Sequence, residues 1–283
     1  MRWRTGRRSS NIEDRRGRRV TGPVAFKGGI GTIALVLVAS YFLGINPLEI
    51  LQMQIDTGPA VNQTDWKPSA AEQQAADFVS VVLADTEDTW NAIFKKSGQT
   101  YQVPTLVLFS GSVSSACGMA SSAMGPFYCP GDQKVYIDLA FFDDLKRRHG
   151  APGDFAQAYV VAHEIGHHVQ NLLGISKQVR SAQRGVGKAQ ANALSVKLEL
   201  QADCFAGLWG NHAERSRQVL EQGDIEEALG AASAIGDDRL QREAKGRVVP
   251  ESFTHGSSEQ RVEWFSRGIQ SGDINSCDTF GES

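Results

Sequence analysis

The H-E-x-x-H motif at residues 163–167 constrains this chain more than any other feature of its sequence. On a helix, His163 and His167 lie four residues apart on one face, with Cβ atoms about 5–6 Å apart. Two imidazoles at that spacing can bind one small metal ion from the same side. Glu164 projects about 100° round the helix from His163, close enough to take a proton from a metal-bound water. The motif therefore predicts a helix that carries a hydrolytic metal centre.

The sequence around the motif favours a helix. Asp154 and Gln157 resemble a capping box, and Gly174 is a plausible stop. An apolar stripe runs opposite the two histidines and can pack against a core: Val161, Ile165, Val169 and Leu172. With 6 His in 283 residues, a coincidental H-E-x-x-H has a probability on the order of one in a hundred.

A catalytic zinc commonly takes three protein ligands, so a third is needed. Glu199 and Asp203 stand four apart in an otherwise apolar stretch, residues 198–206. Two carboxylates on one face of a buried helix are costly unless a positive charge offsets them. Zinc bound by Glu199 would do so, with Asp203 accepting the free ring N–H of a ligating histidine. The alternative is a pair of acids that face solvent or pair with arginine. Other candidate ligands are His149, His168, His212 and His255.

The chain resembles gluzincin-type metallopeptidases, in which H-E-x-x-H is followed on a later helix by E-x-x-x-D. More narrowly, it resembles a bacterial family of neutral zinc metallopeptidases. This resemblance implies Glu199 as the third ligand of a Zn²⁺ ion. It does not identify the substrate, which we expect to be a protein or peptide. It covers most of residues 69–283, and the matching segments are 116–118, 125–130, 135–139, 162–170 (AHEIGHHVQ), 199–204 (ELQADC), 255–256 and 258–261.

His255 and Arg261 lie six residues apart near the end of the chain. A related family of membrane zinc peptidases has a similar T-H-P…R block, whose histidine is thought to steady the oxyanion. By that similarity His255 is a second catalytic candidate, stabilising the tetrahedral intermediate. Alternatively, Ser257 or Ser258 caps a final helix and His255 packs beneath it. The spacing alone does not separate the two.

The N-terminal region predicts a membrane anchor. Residues 1–27 contain nine Lys or Arg and two acids, and an uncharged apolar run follows over residues 28–47. About 18 residues at 1.5 Å each span roughly 27 Å, just enough to cross a bilayer core. The positive-inside rule then predicts a single-pass inner-membrane protein with a cytoplasmic arm, at anionic lipid, and an extracytoplasmic catalytic domain. A cleaved signal peptide is the alternative, but its basic region would be unusually long and no clear A-x-A site follows.

The charge is unevenly distributed along the chain. Of 29 basic and 32 acidic residues, nine and two lie in residues 1–27, which leaves 20 against 30 in the remainder. That acidic remainder argues against nucleic-acid binding by the catalytic part. The sequence gives no indication of oligomeric state.

Four cysteines fit no zinc-finger spacing, and an even number in an oxidising compartment favours disulfides. Three connectivities are possible. We prefer Cys117–Cys129, which closes a glycine- and serine-rich loop, and Cys204–Cys277, which ties the tail to the Glu199 helix. Buried free thiols are the alternative.

The coarse pattern predicts an α+β, zincin-like domain at 69–283, preceded by a linker at 48–68 and one transmembrane helix. A capping box at Ser69 and Glu72 begins a long helix that ends near Lys96. Three or four strands and then several helices follow. By analogy with zincins, we expect Lys134–Asp138 to be an edge strand that holds an extended substrate, unless it is an interior strand.

Together these features predict a membrane-anchored zinc endopeptidase. The alternatives are a non-proteolytic zinc hydrolase, such as an amidase, and a degenerate module that only binds zinc. Glu164 argues against the second, because a purely structural site has no use for a general base.

Overall fold

A computed structural model describes residues 1–18 and 66–281 of the chain. Of these described residues, 1–16 and 68–281 form a first compact unit. In the described part, the first unit contains six strands and eight α-helices, so the predicted α+β class is confirmed. The strands are β1 Ile12–Asp14, β2 Thr105–Phe109, β3 Ser112–Ser115, β4 Gly118–Ser121, β5 Phe127–Cys129 and β6 Lys134–Asp138. The helices are α1 Ala70–Lys96, α2 Ala140–Arg147, α3 Asp154–Leu172, α4 Ile175–Gln183, α5 Lys188–Arg217, α6 Asp224–Ala234, α7 Asp237–Lys245 and α8 Ser258–Ser271.

Four strands form one sheet in the order β1-β2-β6-β5, while β3 and β4 form a separate hairpin. β1, β2 and β6 run parallel, and β5 runs antiparallel to β6. The expectation that Lys134–Asp138 is an edge strand is wrong, because β2 and β5 pair with its two sides. Val135, Tyr136 and Ile137 are at most 1% exposed, as expected of a strand that is covered on both faces.

The predicted capping box at the start of α1 is confirmed. The Ser69 side chain accepts a hydrogen bond from the Glu72 backbone N–H, and the Glu72 carboxylate accepts one from the Ser69 N–H. α1 is anchored in the core by Trp90, whose ring lies edge-on to that of Phe205 on α5 at 5.3 Å.

The helix predicted around H-E-x-x-H is α3, but its N-terminus differs from the prediction. The N-cap residue is Gly153, which has no side chain to cap with, and Asp154 lies in the first turn. Val161, Ile165 and Val169 of the predicted stripe are fully buried. On the side of α5, a Cβ at Gly166 would lie 3.0 Å from the Ala202 Cα. This glycine therefore lets α3 and α5 approach closely.

α5 and α8 pack backbone against backbone at two glycines. A Cβ at Gly268 would lie 2.0 Å from the Cys204 carbonyl oxygen, and one at Gly207 would lie 2.1 Å from that of Phe265. Both preferred disulfides are confirmed: Cys117–Cys129 beside the β3–β4 hairpin, and Cys204–Cys277, which ties the tail to α5.

The first residues of the chain belong to the same compact unit as the helices. β1 pairs with β2, the Trp3 ring lies 5.3 Å from that of Phe78, and Arg7 forms an ion pair with Glu87. The predicted anchor at 28–47 lies outside the described residues, as does nearly all of the predicted linker. In the described ranges, no helix has both the length and the apolar character needed to cross a bilayer. Because residues 28–47 are not among the described residues, the predicted transmembrane helix stays a prediction.

Candidate metal centre

The close packing of α3 on α5 brings the three predicted ligands together. His163 Nε2 lies 3.2 Å from one oxygen of the Glu199 carboxylate, and His167 Nε2 lies 3.5 Å from the other. One ligand atom from each residue lies within 4.8 Å of the others. Ligand atoms at the corners of a tetrahedron around zinc, each about 2.0–2.1 Å from the metal, are about 3.3–3.4 Å apart. The spacing and the donor types therefore fit zinc.

The charge of the site also fits a cation. Burial raises the pKa of Glu199, but the two imidazoles outweigh this effect and hold that pKa well below its usual range. Burial lowers the pKa of His163, but attraction and hydrogen bonding to Asp203 and Glu199 together raise it to about 10. The carboxylates thus stabilise positive charge at the point where the imidazoles meet.

Asp203 is fully buried behind His163. Its carboxylate accepts hydrogen bonds from His163 Nδ1 at 2.8 Å, from the Tyr159 hydroxyl at 2.5 Å and from two guanidinium nitrogens of Arg261 at 2.8 and 2.9 Å. Burial raises the pKa of Asp203, but Arg261 and His163 lower it to about 2. A carboxylate that holds Nδ1–H leaves Nε2 free to bind a metal. The structure therefore gives Asp203 both the predicted contact with histidine and the alternative pairing with arginine.

Glu164 lines the same cavity as the three candidate ligands and is 7% exposed. Burial raises the pKa of Glu164, against the opposing effects of His167 and His163. A carboxyl group with a raised pKa is suited to exchanging protons near neutral pH.

His255 also lines this cavity, and about half of its side chain is exposed. Its Nδ1 lies 3.2 Å from one Asp237 oxygen, while the other oxygen accepts the backbone N–H groups of Thr254 and His255 at 2.6 Å each. The hydrogen bond to Asp237 raises the pKa of His255, although burial opposes it. Ser257 does cap α8, as the alternative proposed. His255 nevertheless faces the cavity rather than packing beneath the cap.

The cavity has a volume of about 550 Å³ and lies between the sheet and the helices. β5 and the turn before it form one wall, through Met124, Phe127 and Tyr128. Ile235 and Leu240 contribute apolar surface on the side of the helices.

Among the other candidate histidines, His149 lines the cavity but does not belong to the group of three ligands, and His168 and His212 contact backbone carbonyl groups. His168 Nε2 lies 2.6 Å from the Gln102 carbonyl oxygen, and His212 Nε2 lies 2.9 Å from that of Gly272. In the described residues, a second group of possible metal ligands consists of Asp154, Asp224 and Glu227. The Met1 ammonium group already lies 2.5 Å from Asp154 and 3.3 Å from Asp224.

Three partners in this centre were not predicted from the sequence: Tyr159, Asp237 and Gln170. The side-chain oxygen of Gln170 lies 2.9 Å from His167 Nδ1. Asp237 is separated from His255 by 18 residues, and its role depends on the packing of α7 against the end of the chain. Arg261, which the sequence analysis noted through its similarity to the T-H-P…R block, lies in the core on α8 and is 2% exposed.

Comparison with known proteins agrees with this centre. A family model described as "Putative neutral zinc metallopeptidase" matches residues 1–280. The uncharacterized protein YpfJ of Escherichia coli K12 is 53% identical over 293 aligned positions that cover 100% of both chains. The uncharacterized protein Rv2575 of Mycobacterium tuberculosis is 42% identical over 253 positions and 84% of each chain. No solved structure matches the chain.

Proposed function

Because the chain belongs to the neutral zinc metallopeptidase family, we propose that it is a zinc-dependent endopeptidase whose catalytic base is Glu164. The observation that carries this proposal is the convergence of His163, His167 and Glu199 within 4.8 Å, beside a buried carboxyl group. When bound, zinc supplies Lewis acidity, which makes water a better nucleophile at neutral pH and polarises a carbonyl group.

Glu164 moves the proton in the proposed reaction. Its carboxylate takes a proton from the attacking water, and the resulting acid then gives that proton to the departing amine nitrogen. The burial that raises its pKa makes the Glu164 carboxylate a stronger base for the first step, and it keeps the proton from solvent until the amine departs.

His255 stabilises the oxyanion that develops when the carbonyl is attacked. Because its Nδ1 is directed to Asp237, the protonated ring can donate a hydrogen bond from Nε2 into the cavity. Asp237 thus orients the ring and favours its charged form.

β5 is the element best placed to bind an extended peptide. Within the described residues its only neighbour in the sheet is β6, so its other edge can pair with a substrate strand. Phe127 and Tyr128 of this strand line the cavity that contains Glu164. Backbone pairing of this kind accepts many sequences, which suits an endopeptidase acting on unfolded segments.

Substitution of Glu164 tests the proposal. The full-length protein is loaded with zinc and assayed on casein, on small amides and on cell-wall fragments, beside Glu164→Gln. We expect the wild-type protein to cleave casein. For Glu164→Gln we expect kcat/KM to fall at least about 10³-fold, as when a catalytic base is removed. Zinc content is expected to stay the same, since Glu164 is not a ligand.

Two results would contradict the proposal. Equal casein cleavage by Glu164→Gln would remove this residue from the mechanism. Hydrolysis of amides or cell-wall fragments with no cleavage of casein would replace the peptidase by a different zinc hydrolase.

A further inference from the structure

The two candidate imidazole ligands are held by chemically different partners. His163 is held by the charged Asp203, whereas His167 Nδ1 lies 2.9 Å from the side-chain oxygen of Gln170. Gln170 is fully buried. Because that oxygen can only accept, Nδ1 of His167 carries the hydrogen and Nε2 presents its lone pair to the metal.

The amide of Gln170 is itself held in one orientation. Its Nε2 donates to the Leu198 carbonyl at 2.7 Å and to the Gln201 side-chain oxygen at 3.1 Å. Gln201 is 4% exposed, and its Nε2 donates to the Cys277 carbonyl at 3.0 Å. Turning either amide over would place two acceptor oxygens against each other, so the backbone carbonyls determine both orientations.

The result is a chain of hydrogen bonds with a single direction. His167 donates to Gln170, Gln170 to Gln201, and Gln201 to the carbonyl of Cys277. Cys277 is bonded to Cys204 on α5, the helix that also carries Gln201 and Glu199. The disulfide thus fixes the last acceptor of the chain relative to the metal-binding helix.

We propose that Gln170 and Gln201 are positioning residues that set the tautomer of His167, and that the tail anchored by Cys277 supports zinc binding through them. This inference rests on the proposed zinc site. Gln170 and Gln201 are not among the described residues that line the cavity, so the effect is expected on metal affinity rather than on the chemical step.

To test this inference, the zinc affinities of Gln170→Met and Gln201→Met are measured by competition with a chelator. Both substitutions keep the side-chain volume but remove the amide group. Loss of a partner behind a ligand typically weakens metal binding about 10–100-fold, and we expect this for Gln170→Met. We expect a smaller loss, of about 3–10-fold, for Gln201→Met, which is one step further from the metal. Gln183→Met is the matched control, because Gln183 bonds to Ala191 and Ser195 away from the centre.

Thermal unfolding of the metal-free variants, with and without added zinc, separates folding from ligand orientation. The rise in unfolding temperature on adding zinc should be smaller for Gln170→Met and Gln201→Met than for the wild type. It should be unchanged for Gln183→Met. Wild-type affinity in Gln170→Met would overturn the inference, and wild-type affinity in Gln201→Met alone would overturn the link to Cys277. If the wild-type protein bound no zinc, the proposed function itself would fail.

A second inference concerns the N-terminal segment and stands on different contacts. β1 pairs with β2 in parallel, with Ile12 opposite Leu106 and Asp14 opposite Leu108. Glu13 forms an ion pair with Lys134 of β6 at 2.8 Å. The first strand is therefore bound to the sheet through both its backbone and its side chains.

Arg16, the last residue of the N-terminal part of this compact unit, lies beside the start of α1, where the unit resumes. Arg16 is 5% exposed, and its Nη1 donates to the Glu72 carbonyl in the first turn of α1 at 2.9 Å. A bilayer core about 30 Å thick cannot lie between two strands that share backbone hydrogen bonds. A single crossing over residues 28–47 would require this separation.

We infer that residues 1–16 and the peptidase domain lie on the same side of any membrane that the protein meets. The predicted topology instead placed the basic arm in the cytoplasm and the domain outside.

Single-cysteine labelling tests this inference in the full-length protein. Ser10→Cys and Ser181→Cys each add one thiol at an exposed position, since the four native cysteines are paired. Both are treated with a membrane-impermeant maleimide in spheroplasts and again after lysis, beside a cytoplasmic reporter thiol. We expect both positions to be labelled under the same conditions. Labelling of one in intact spheroplasts and of the other only after lysis would overturn the inference.

Discussion

At the scale of single residues, the centre depends on carboxylates that are each shared between two tasks. Asp203 holds the ring of His163 and also neutralises the buried Arg261. Asp237 holds the ring of His255 and also accepts the backbone N–H groups of Thr254, His255 and Gly256. Each carboxylate therefore joins a reactive side chain to the framework, which restricts the number of orientations that the side chain can adopt.

Substitution of His255 should slow the reaction without loss of metal. For His255→Ala we expect kcat/KM to fall about 10²–10³-fold, as for other oxyanion donors. Asp237→Asn should lower the pKa of His255, since Asp237 raises it. The alkaline limb of the pH profile of this variant should then move to lower pH. Loss of zinc from His255→Ala, or an unmoved limb in Asp237→Asn, would contradict the role given to this pair.

The pH should affect the metal-free and zinc-loaded proteins differently. Since the pKa of His163 is raised from 6.5 to about 10 in the metal-free fold, its proton stabilises that fold fully below pH 6.5. This stabilisation is lost as the pH rises towards about 10. In thermal unfolding, the unfolding temperature of the metal-free protein should fall over that range. The increase in unfolding temperature on adding zinc should be larger at higher pH.

Glu199→Gln provides the control for this pH dependence, because it removes one of the carboxylates that raise the pKa of His163. Its metal-free form should lose less stability between pH 6.5 and 10. An identical pH dependence in the variant and the wild type would argue against this origin.

At the scale of elements, the centre depends on helices that approach closely through glycine. α3 meets α5 at Gly166, and α5 meets α8 at Gly207 and Gly268. The first contact brings Glu199 to the two histidines, and the second places Arg261 against Asp203. Small residues at these crossings thus determine contacts of the metal centre that lie within about two helical turns of them.

Gly268→Ala should be strongly destabilising. Its Cβ would lie 2.0 Å from the Cys204 carbonyl, so the helices must separate, which should cost about 3 kcal/mol or more. The matched control is Gly230→Ala in α6, where no atom lies within 4 Å of the added Cβ. There the better helix propensity of alanine should stabilise by about 0.5–1 kcal/mol. Denaturant unfolding measures both, and equal stability of the two variants would contradict this account of the α5–α8 contact.

At the scale of the whole molecule, local patterns and both disulfides were predictable, whereas the pairing of the strands was not. The helix at 163–167 and the cap at Ser69 could be predicted from residues a few positions apart. The burial of Glu199 and Asp203 followed from their apolar flanks. β1 was missed because Ile12–Asp14 is short and mostly charged, and only its pairing with β2 makes it a strand. β6 was mistaken for an edge because the sequence does not show which strands will flank it.

Anomalous diffraction from zinc-loaded crystals, recorded at the zinc edge, tests the central claim most directly. We expect one strong peak within about 2.0–2.2 Å of Nε2 of His163, Nε2 of His167 and an oxygen of Glu199. The same crystals of Glu199→Ala should show a much weaker peak or none. A peak at Asp154, Asp224 and Glu227 instead, or no ordered zinc near the two histidines, would contradict the account.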